Sequence, residues 1–490
     1  MVDLKSKSIE ERKDEFKSFC KDAQRTSSVL QDSSISKYMS GLTSYEMTLI
    51  VKQICNELDI FNLTESNKIK PILRLYQSLR DSFPGTKTAP HVHYNDLSSY
   101  ISKYMEFLND CNEVENDSTE FSISHIIQQI QTTGLIYDDN LIKRYAFSLL
   151  TKPFVILSGL AGSGKTQLAI TFANSICSNP DDQVLVVPVG ADWTNREPLL
   201  GYANALDKDD YVQPESDVLS LLVKASSNVT KPYFLILDEM NMSYVERYFA
   251  DFLSTMESGK EIKLWKGNTA EAPSSLKLPK NLFIVGTINV DETTYMFSPK
   301  VLDRANVLEF KVASNDMKKF LSNISTTDID GLKAANDGIG SSFVELAKHD
   351  NCAVNEGIMN VMLAFFDELK KVNAEFGYRS AKEIYKFISI ASDNDDTQNK
   401  MKTDDIIDSA VVQKLLPKLH GSRNSLKDVL NSLWKLCFTG EVVDLSIADY
   451  GTLNPDNNAS YKVRYPESAN KILRMYKNAV ANGFTSFAEA

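Results

Sequence analysis

The segment Gly159-Leu160-Ala161-Gly162-Ser163-Gly164-Lys165-Thr166-Gln167 restricts the fold of this chain more than any other. It fits the pattern GxxxxGK[ST], follows the apolar run PFVIL and opens the helix-patterned run TQLAITFANSI. Glycines at this spacing let successive backbone N–H groups point inward, and a helix N-terminus adds a field that favours anions. Lys165 supplies a point charge for β- and γ-phosphate oxygens, and the Thr166 hydroxyl is a hard oxygen ligand suited to Mg²⁺. A strand, a phosphate-cradling loop and a helix in that order require a parallel sheet with helices on its faces.

The surrounding sequence repeats the alternation. From Ile123 to about Phe310, short apolar runs (QVLVVPVG, YFLILDE, NLFIVGTI, VLDRANVLEF) alternate with helical ones, which predicts an α/β core over residues 123–313. Beyond Ala313 the periodicity is helical and no strand is expected, so residues 314–490 read as a helical lid and C-terminal region. The first 110 residues carry apolar positions at three- and four-residue spacing and predict an all-helical domain. The acidic, core-poor stretch NDCNEVENDSTE places a linker at 111–122.

Composition narrows the partners. With 43% hydrophobic and 24% charged residues the chain is globular in type, and 53 basic against 65 acidic side chains give a net charge of −12. Nucleic acid therefore has to be met by a local patch. Residues 1–110 balance at 15 basic and 15 acidic, and within them Lys68, Lys70, Arg74, Arg80 and Lys87 form the best candidate for phosphate contacts. The six cysteines are dispersed without a CxxC pair, which excludes a zinc knuckle or disulfide framework. The apolar runs fall short of the roughly 20 residues that span a bilayer, so no membrane association and a cytoplasmic location are expected.

Downstream of the glycine loop, PYFLIL ends in Asp238-Glu239, two carboxylates delivered to the C-terminal edge of a buried strand. Asp238 is expected at the Mg²⁺ and Glu239 as the base that takes a proton from the attacking water. A further strand ends at Asn289, whose amide can bridge water and γ-phosphate, and Arg304 stands where ring-forming NTPases place an arginine finger for the neighbouring subunit. The base is expected against Leu135, Ile136 and Tyr137. Asp251, Glu261 and Lys263 have nuclease-like spacing but fall inside the NTPase core, so they read as surface charges. His91 and His93 lack a third ligand nearby, and His125, His349 and His420 belong to no recognisable triad. Trp193 and Trp265 are open between pore lining and packing.

GLAGSGKT, LILDEMN, GTINVDETT, VLDRANVLEF, FGYRSAKEI and LLPKLHGSR together resemble the helix-2-insert branch of AAA+ ATPases, and within it the McrB-type GTPases of modification-dependent restriction systems. The likeness covers about Ile123 to Arg423. It implies an α/β AAA+ P-loop core with a parallel sheet, a C-terminal helical lid and, here, an all-helical N-terminal domain. It further implies a homo-oligomeric ring, expected as a hexamer, Mg²⁺ with GTP favoured over ATP, a McrC-like nuclease partner, and DNA contacted through the N-terminal domain. By family position Arg379 in FGYRSAKEI is the second sensor, reaching the γ-phosphate from the lid. Catalytic roles are thus expected of Glu239, Asn289, Arg304 and Arg379, and metal contacts of Thr166 and Asp238. The alternative is a protein-remodelling ATPase of the MoxR type.

Overall fold

The computed structural model describes residues 8–21, 32–55, 60–62, 72–73, 75–76, 93–104, 120–207, 210–290, 297–311, 317–318, 321, 332, 337–349, 355–440, 442–445, 462–487 and 490. The chain divides into two compact units, Met1–Asp117 and Ser118–Ala490.

In the first unit, the helices α1 (Ile9–Phe19), α2 (Asp32–Leu42) and α3 (Tyr45–Cys55) join a helical run over 93–104. Phe16, Met47, Val51, Phe61, Ile101 and Tyr104 form its buried centre, with the Phe16 ring edge-on to Tyr104 at 5.5 Å. His93 meets Glu46 at 2.9 Å, so this histidine has a side-chain partner within the helical unit. His91 and the basic cluster Lys68, Lys70, Arg74, Arg80 and Lys87 lie outside the described residues.

The second unit opens with α4 (Ile123–Thr132), N-capped by Ser122, and α5 (Asp139–Thr151), N-capped by Asp138. There follow β1 (Phe154–Gly159), α6 (Lys165–Ile176), β2 (Val184–Pro188), the short pair β3 (Tyr202–Ala203) and β4 (Tyr211–Val212), α7 (Val218–Ser227) and β5 (Tyr233–Asp238). Next come α8 (Ala250–Ser258), the short pair β6 (Ile262–Lys263) and β7 (Ser275–Leu276), β8 (Leu282–Asn289) and β9 (Asn306–Phe310). The five long strands form one parallel sheet in the order β2-β5-β8-β1-β9. Parallel strands covered on both faces read as nearly unbroken apolar runs, which is why every residue of β1 and β8 is buried.

The remainder is mostly helical: α9 (Asp337–Lys348), α10 (Glu356–Lys370), α11 (Tyr378–Asn394), α12 (Thr403–Ala410), α13 (Arg423–Leu436) and α14 (Pro466–Asn482). Two small antiparallel ladders correct the expectation of no strands after Ala313. In them β10 (His420–Ser422) pairs with β13 (Phe484–Ser486), and β11 (Phe438–Thr439) with β12 (Lys462–Val463). Strands of two or three residues carry no period to detect. They cross-link α13 and α14 at both ends.

The C-terminal helices hold the open side of the sheet. Glu309 on β9 receives Arg474 of α14 through two bonds, 2.9 and 2.6 Å, and Lys471 at 2.9 Å. Despite burial, the hydrogen bonds and charges of Arg474, Lys471 and Lys311 bring the Glu309 carboxyl down to about 2. Lys414, buried, donates to the carbonyls of Asp303 (2.9 Å) and Ala305 (3.0 Å) ahead of β9. Asp395 and Asp396, just beyond α11, clamp the lid to the start of the core: Asp395 pairs with buried Lys143 of α5, and Asp396 accepts from Ser124 N–H and Ser122 hydroxyl at the tip of α4. Among the described residues, no helix is long and apolar enough to cross a membrane.

Candidate active site

The parallel register brings the site to one sheet edge. Gly159, the last residue of β1, lies level with Asn289 on one side and Phe310 on the other. A side chain at Gly159 would come within 2.8 Å of Phe310, so glycine is required there by close approach. The loop then turns through two left-handed positions, Gly162 (φ 71°) and Gly164 (φ 89°), the second of which caps α6. Lys165 is buried under this loop, its ammonium donating to the carbonyls of Gly159 (3.1 Å) and Leu160 (2.6 Å) and to the Ser163 hydroxyl (3.3 Å). Leu160, Ala161 and Gln167 face outward.

Thr166 and Asp238 come together across the loop, the Thr166 hydroxyl donating to Asp238 Oδ1 at 2.6 Å. Asp238 Oδ1 also accepts from the Thr287 hydroxyl at 2.6 Å, and Thr287 in turn accepts the Glu239 N–H at 3.0 Å. Glu239 itself adopts a left-handed backbone (φ 53°, ψ 46°), a conformation that costs a non-glycine residue on the order of 1–3 kcal/mol. The turn swings its carboxylate to Asn289, whose amide donates to Glu239 Oε1 at 3.3 Å. Thr287 was not singled out from sequence. The available signal was a hydroxyl in an otherwise apolar buried strand, two residues before Asn289.

Tyr137 arrives from the segment between α4 and α5, with Leu135 and Ile136 half-buried beside it. Its hydroxyl donates to the Gly164 carbonyl at 2.9 Å and its ring stands edge-on to Phe310. Burial pushes the phenol above its ordinary value, so it is a donor at neutral pH.

These residues fit a nucleotide with a divalent ion. Thr166 and Asp238 present hard oxygens in contact with each other, and the glycine loop leaves backbone N–H groups and a helix N-terminus beside them.

Arg304 and Arg379 are elsewhere. Asn306, the first residue of β9, is level with Val155, so Arg304 sits at the end of the sheet opposite the glycine loop. It is 6% exposed, with Nε on the Leu253 carbonyl (3.0 Å), one amino group on the Lys300 carbonyl (2.6 Å) and the other on Glu257. Arg379, at the start of α11, pairs with Asp303 and reaches Glu257 at 3.5 Å. Lys418 joins Asp303 at 3.0 Å, while Lys152 and Lys414 share Glu383 at 2.6 and 2.7 Å. Long-range pairing with Asp303 and Glu257 holds Arg379 at the far end of the strands from its own glycine loop.

The residues set aside have structural partners. Asp251 pairs with Arg196 at 3.0 Å, Glu261 accepts from Ser275, and the Lys263 carbonyl accepts from Arg196. Trp193 stands edge-on to Tyr248, and Trp265 donates to the Ala272 carbonyl and packs on Tyr211, so both are used in packing.

Residues 323–484 match the family described as Domain of unknown function (DUF8727). No curated protein matches the chain. Among solved structures, a Cytophaga hutchinsonii ATCC 33406 protein described as a putative ATPase is similar at 14% identity over 60% of this chain and 86% of that one, with a TM-score of 0.43. The Hsp104–ADP complex of S. cerevisiae is similar at 14% identity over 53% of this chain and 54% of that one, TM-score 0.29. A DNA polymerase III gamma subunit-related protein of Thermotoga maritima MSB8 is similar at 12% identity over 69% and 97%, TM-score 0.22. The core is an α/β P-loop fold.

Proposed function

We propose that this chain is the Mg²⁺-dependent, NTP-hydrolysing subunit of an AAA+ ring. The observation that carries the reading is the convergence of Thr166, Asp238, Glu239 and Asn289 at the edge of the sheet that bears the glycine loop. In it, the N–H groups of the loop and Lys165 bind the β- and γ-phosphates, and Thr166 and Asp238 hold the ion. Mg²⁺ bound there supplies positive charge to the phosphate oxygens. Glu239, oriented by Asn289 and by its left-handed turn, takes a proton from water as the water oxygen attacks the γ-phosphorus. The β–γ bridging bond breaks and leaves phosphate and nucleoside diphosphate. Arg304 and Arg379 stand at the opposite sheet end, so a guanidinium at this site comes from a second copy of the chain. That supports a ring, taken as a hexamer.

The finer reading follows the resemblance: a GTP-preferring motor of a restriction or anti-phage complex, moving on DNA engaged by the N-terminal unit and activating a McrC-like nuclease. Leu135, Ile136 and Tyr137 would face the base. Glu239→Gln tests hydrolysis: it should retain nucleotide and turn over at least about a hundredfold more slowly, because it keeps the ion site and loses the base. Near-normal turnover by that variant removes Glu239 from the mechanism. Full-length protein whose turnover ignores duplex DNA and rises with unfolded protein would instead make it a MoxR-type remodelling ATPase.

A further inference from the structure

Two arginines beside each other repel, and something must keep them together. Burial and the charge of Arg379 both disfavour the charged form of Arg304. The acids that meet them are Glu257, at the end of α8, and Asp303. Glu257 contacts both guanidiniums, while Asp303 contacts Arg379 and Lys418. The arginines differ in presentation. Arg304 is buried and spends its donors on two backbone carbonyls and Glu257, whereas the Arg379 side chain is 39% exposed. Glu257 is half-exposed. The arrangement runs from an anchored guanidinium, through one carboxylate, to a presented guanidinium.

We propose that Glu257 is a positioning residue for the shared site: anchored by Arg304, it fixes the Arg379 guanidinium in the orientation that meets the γ-phosphate held by a neighbouring copy. The inference rests on the ring reading above and adds a division of labour. Arg304 acts through Glu257, and Arg379 touches the nucleotide. A carboxylate is needed because its two charged oxygens meet two guanidiniums at once and offset their repulsion, and an amide of the same shape carries no charge.

The test is Glu257→Gln in the full chain. Expected are a kcat at least about tenfold below wild type and unchanged nucleotide affinity of the variant's own loop. Glu257→Asp, which keeps the charge, should recover part of the rate. Mixing supplies the readout that a merely structural role would not move. Glu257→Gln subunits keep an intact loop and Lys165→Ala subunits keep intact arginines, so activity should rise where the two meet. The Arg379→Ala plus Lys165→Ala mixture is the control. If the control fails to recover, the shared site and this inference fall together. If the control recovers and the Glu257→Gln mixture does not, or if Glu257→Gln turns over at the wild-type rate, this inference alone is overturned.

Discussion

Replacing Asp395 by Asn should destabilise the second unit more than replacing its partner Lys143 by Met. Both side chains are 2% exposed, with Nζ and Oδ2 3.2 Å apart. Their remaining partners are unequal. Asp395 Oδ1 accepts from the Thr397 N–H (3.1 Å) and hydroxyl (2.6 Å), and Oδ2 from the Met401 N–H (2.8 Å). Lys143 has, besides the carboxylate, the Asn399 carbonyl at 2.6 Å. Burial opposes the charge on Asp395, yet these bonds hold its carboxyl below the usual value. With Asn at 395, either amide orientation sets an NH₂ group against donors, and a buried ammonium loses its counter-charge. Leaving a buried ammonium without its counter-charge costs about 3–5 kcal/mol. Lys143→Met leaves a carboxylate that still accepts three hydrogen bonds, and a straight apolar chain fills the space, so roughly 1–2 kcal/mol is expected. At about 2.1 cal/mol/K per residue, unfolding the unit of residues 118–490 carries an entropy on the order of 0.8 kcal/mol/K. Tm should therefore fall by roughly 4–6 °C for Asp395→Asn and by about 1–3 °C for Lys143→Met. Scanning calorimetry of the full chain reads both. A Lys143→Met loss equal to or larger than the Asp395→Asn loss would refute the argument from unequal partners.

Asp303 gives a pH prediction. Burial alone would raise its carboxyl, but the hydrogen bond and charge of Lys418, with the charges of Arg379 and Lys414, bring it to about 2, below its ordinary value of 3.8. Its folded value being depressed, its contribution to stability is present above about pH 4 and is lost as pH falls toward 2, so the Tm gap between wild type and Asp303→Asn should close over that window. A gap that stays constant from pH 5 to about 2 would mean that Asp303 contributes no ionic stabilisation. Gly164→Ala should weaken nucleotide binding at least about tenfold, since φ is 89° and a methyl group would meet the Tyr137 hydroxyl at 3.0 Å. Titration with a fluorescent nucleotide measures it, and wild-type affinity would show that the left-handed turn is dispensable.

The sequence made the sheet legible because burial on both faces leaves unbroken apolar runs, and the loop legible because its residue types are chemically obligatory. Asp238 and Glu239 were readable as carboxylates at a strand end. The left-handed backbone of Glu239 was not, since nothing local to LDEMN demands it. Thr287 and Tyr137 acquire their partners from segments 49 and 27 positions away, and such contacts leave no period behind. The same holds for Arg379, whose position in FGYRSAKEI is local and whose partners Asp303 and Glu257 are remote. The grip of α14 on Glu309 spans more still, and only the register of β9 beside β1 gives it meaning.

That grip bears on how the chain is made. Strand β9 is the last strand of the sheet to leave the ribosome and forms one outer edge, with Glu309 next to its final residue. Of the cations that meet Glu309, Lys311 follows at once, whereas Lys471 and Arg474 emerge some 160 residues later, on the order of ten to thirty seconds at ordinary synthesis rates. For that interval the outer edge lacks the cover of α14, and the charges of Glu309 and Lys311 on it discourage pairing with another chain. A fragment ended near residue 313 would remain in this condition permanently, so nucleotide-binding protein should be sought by expressing the chain through α14.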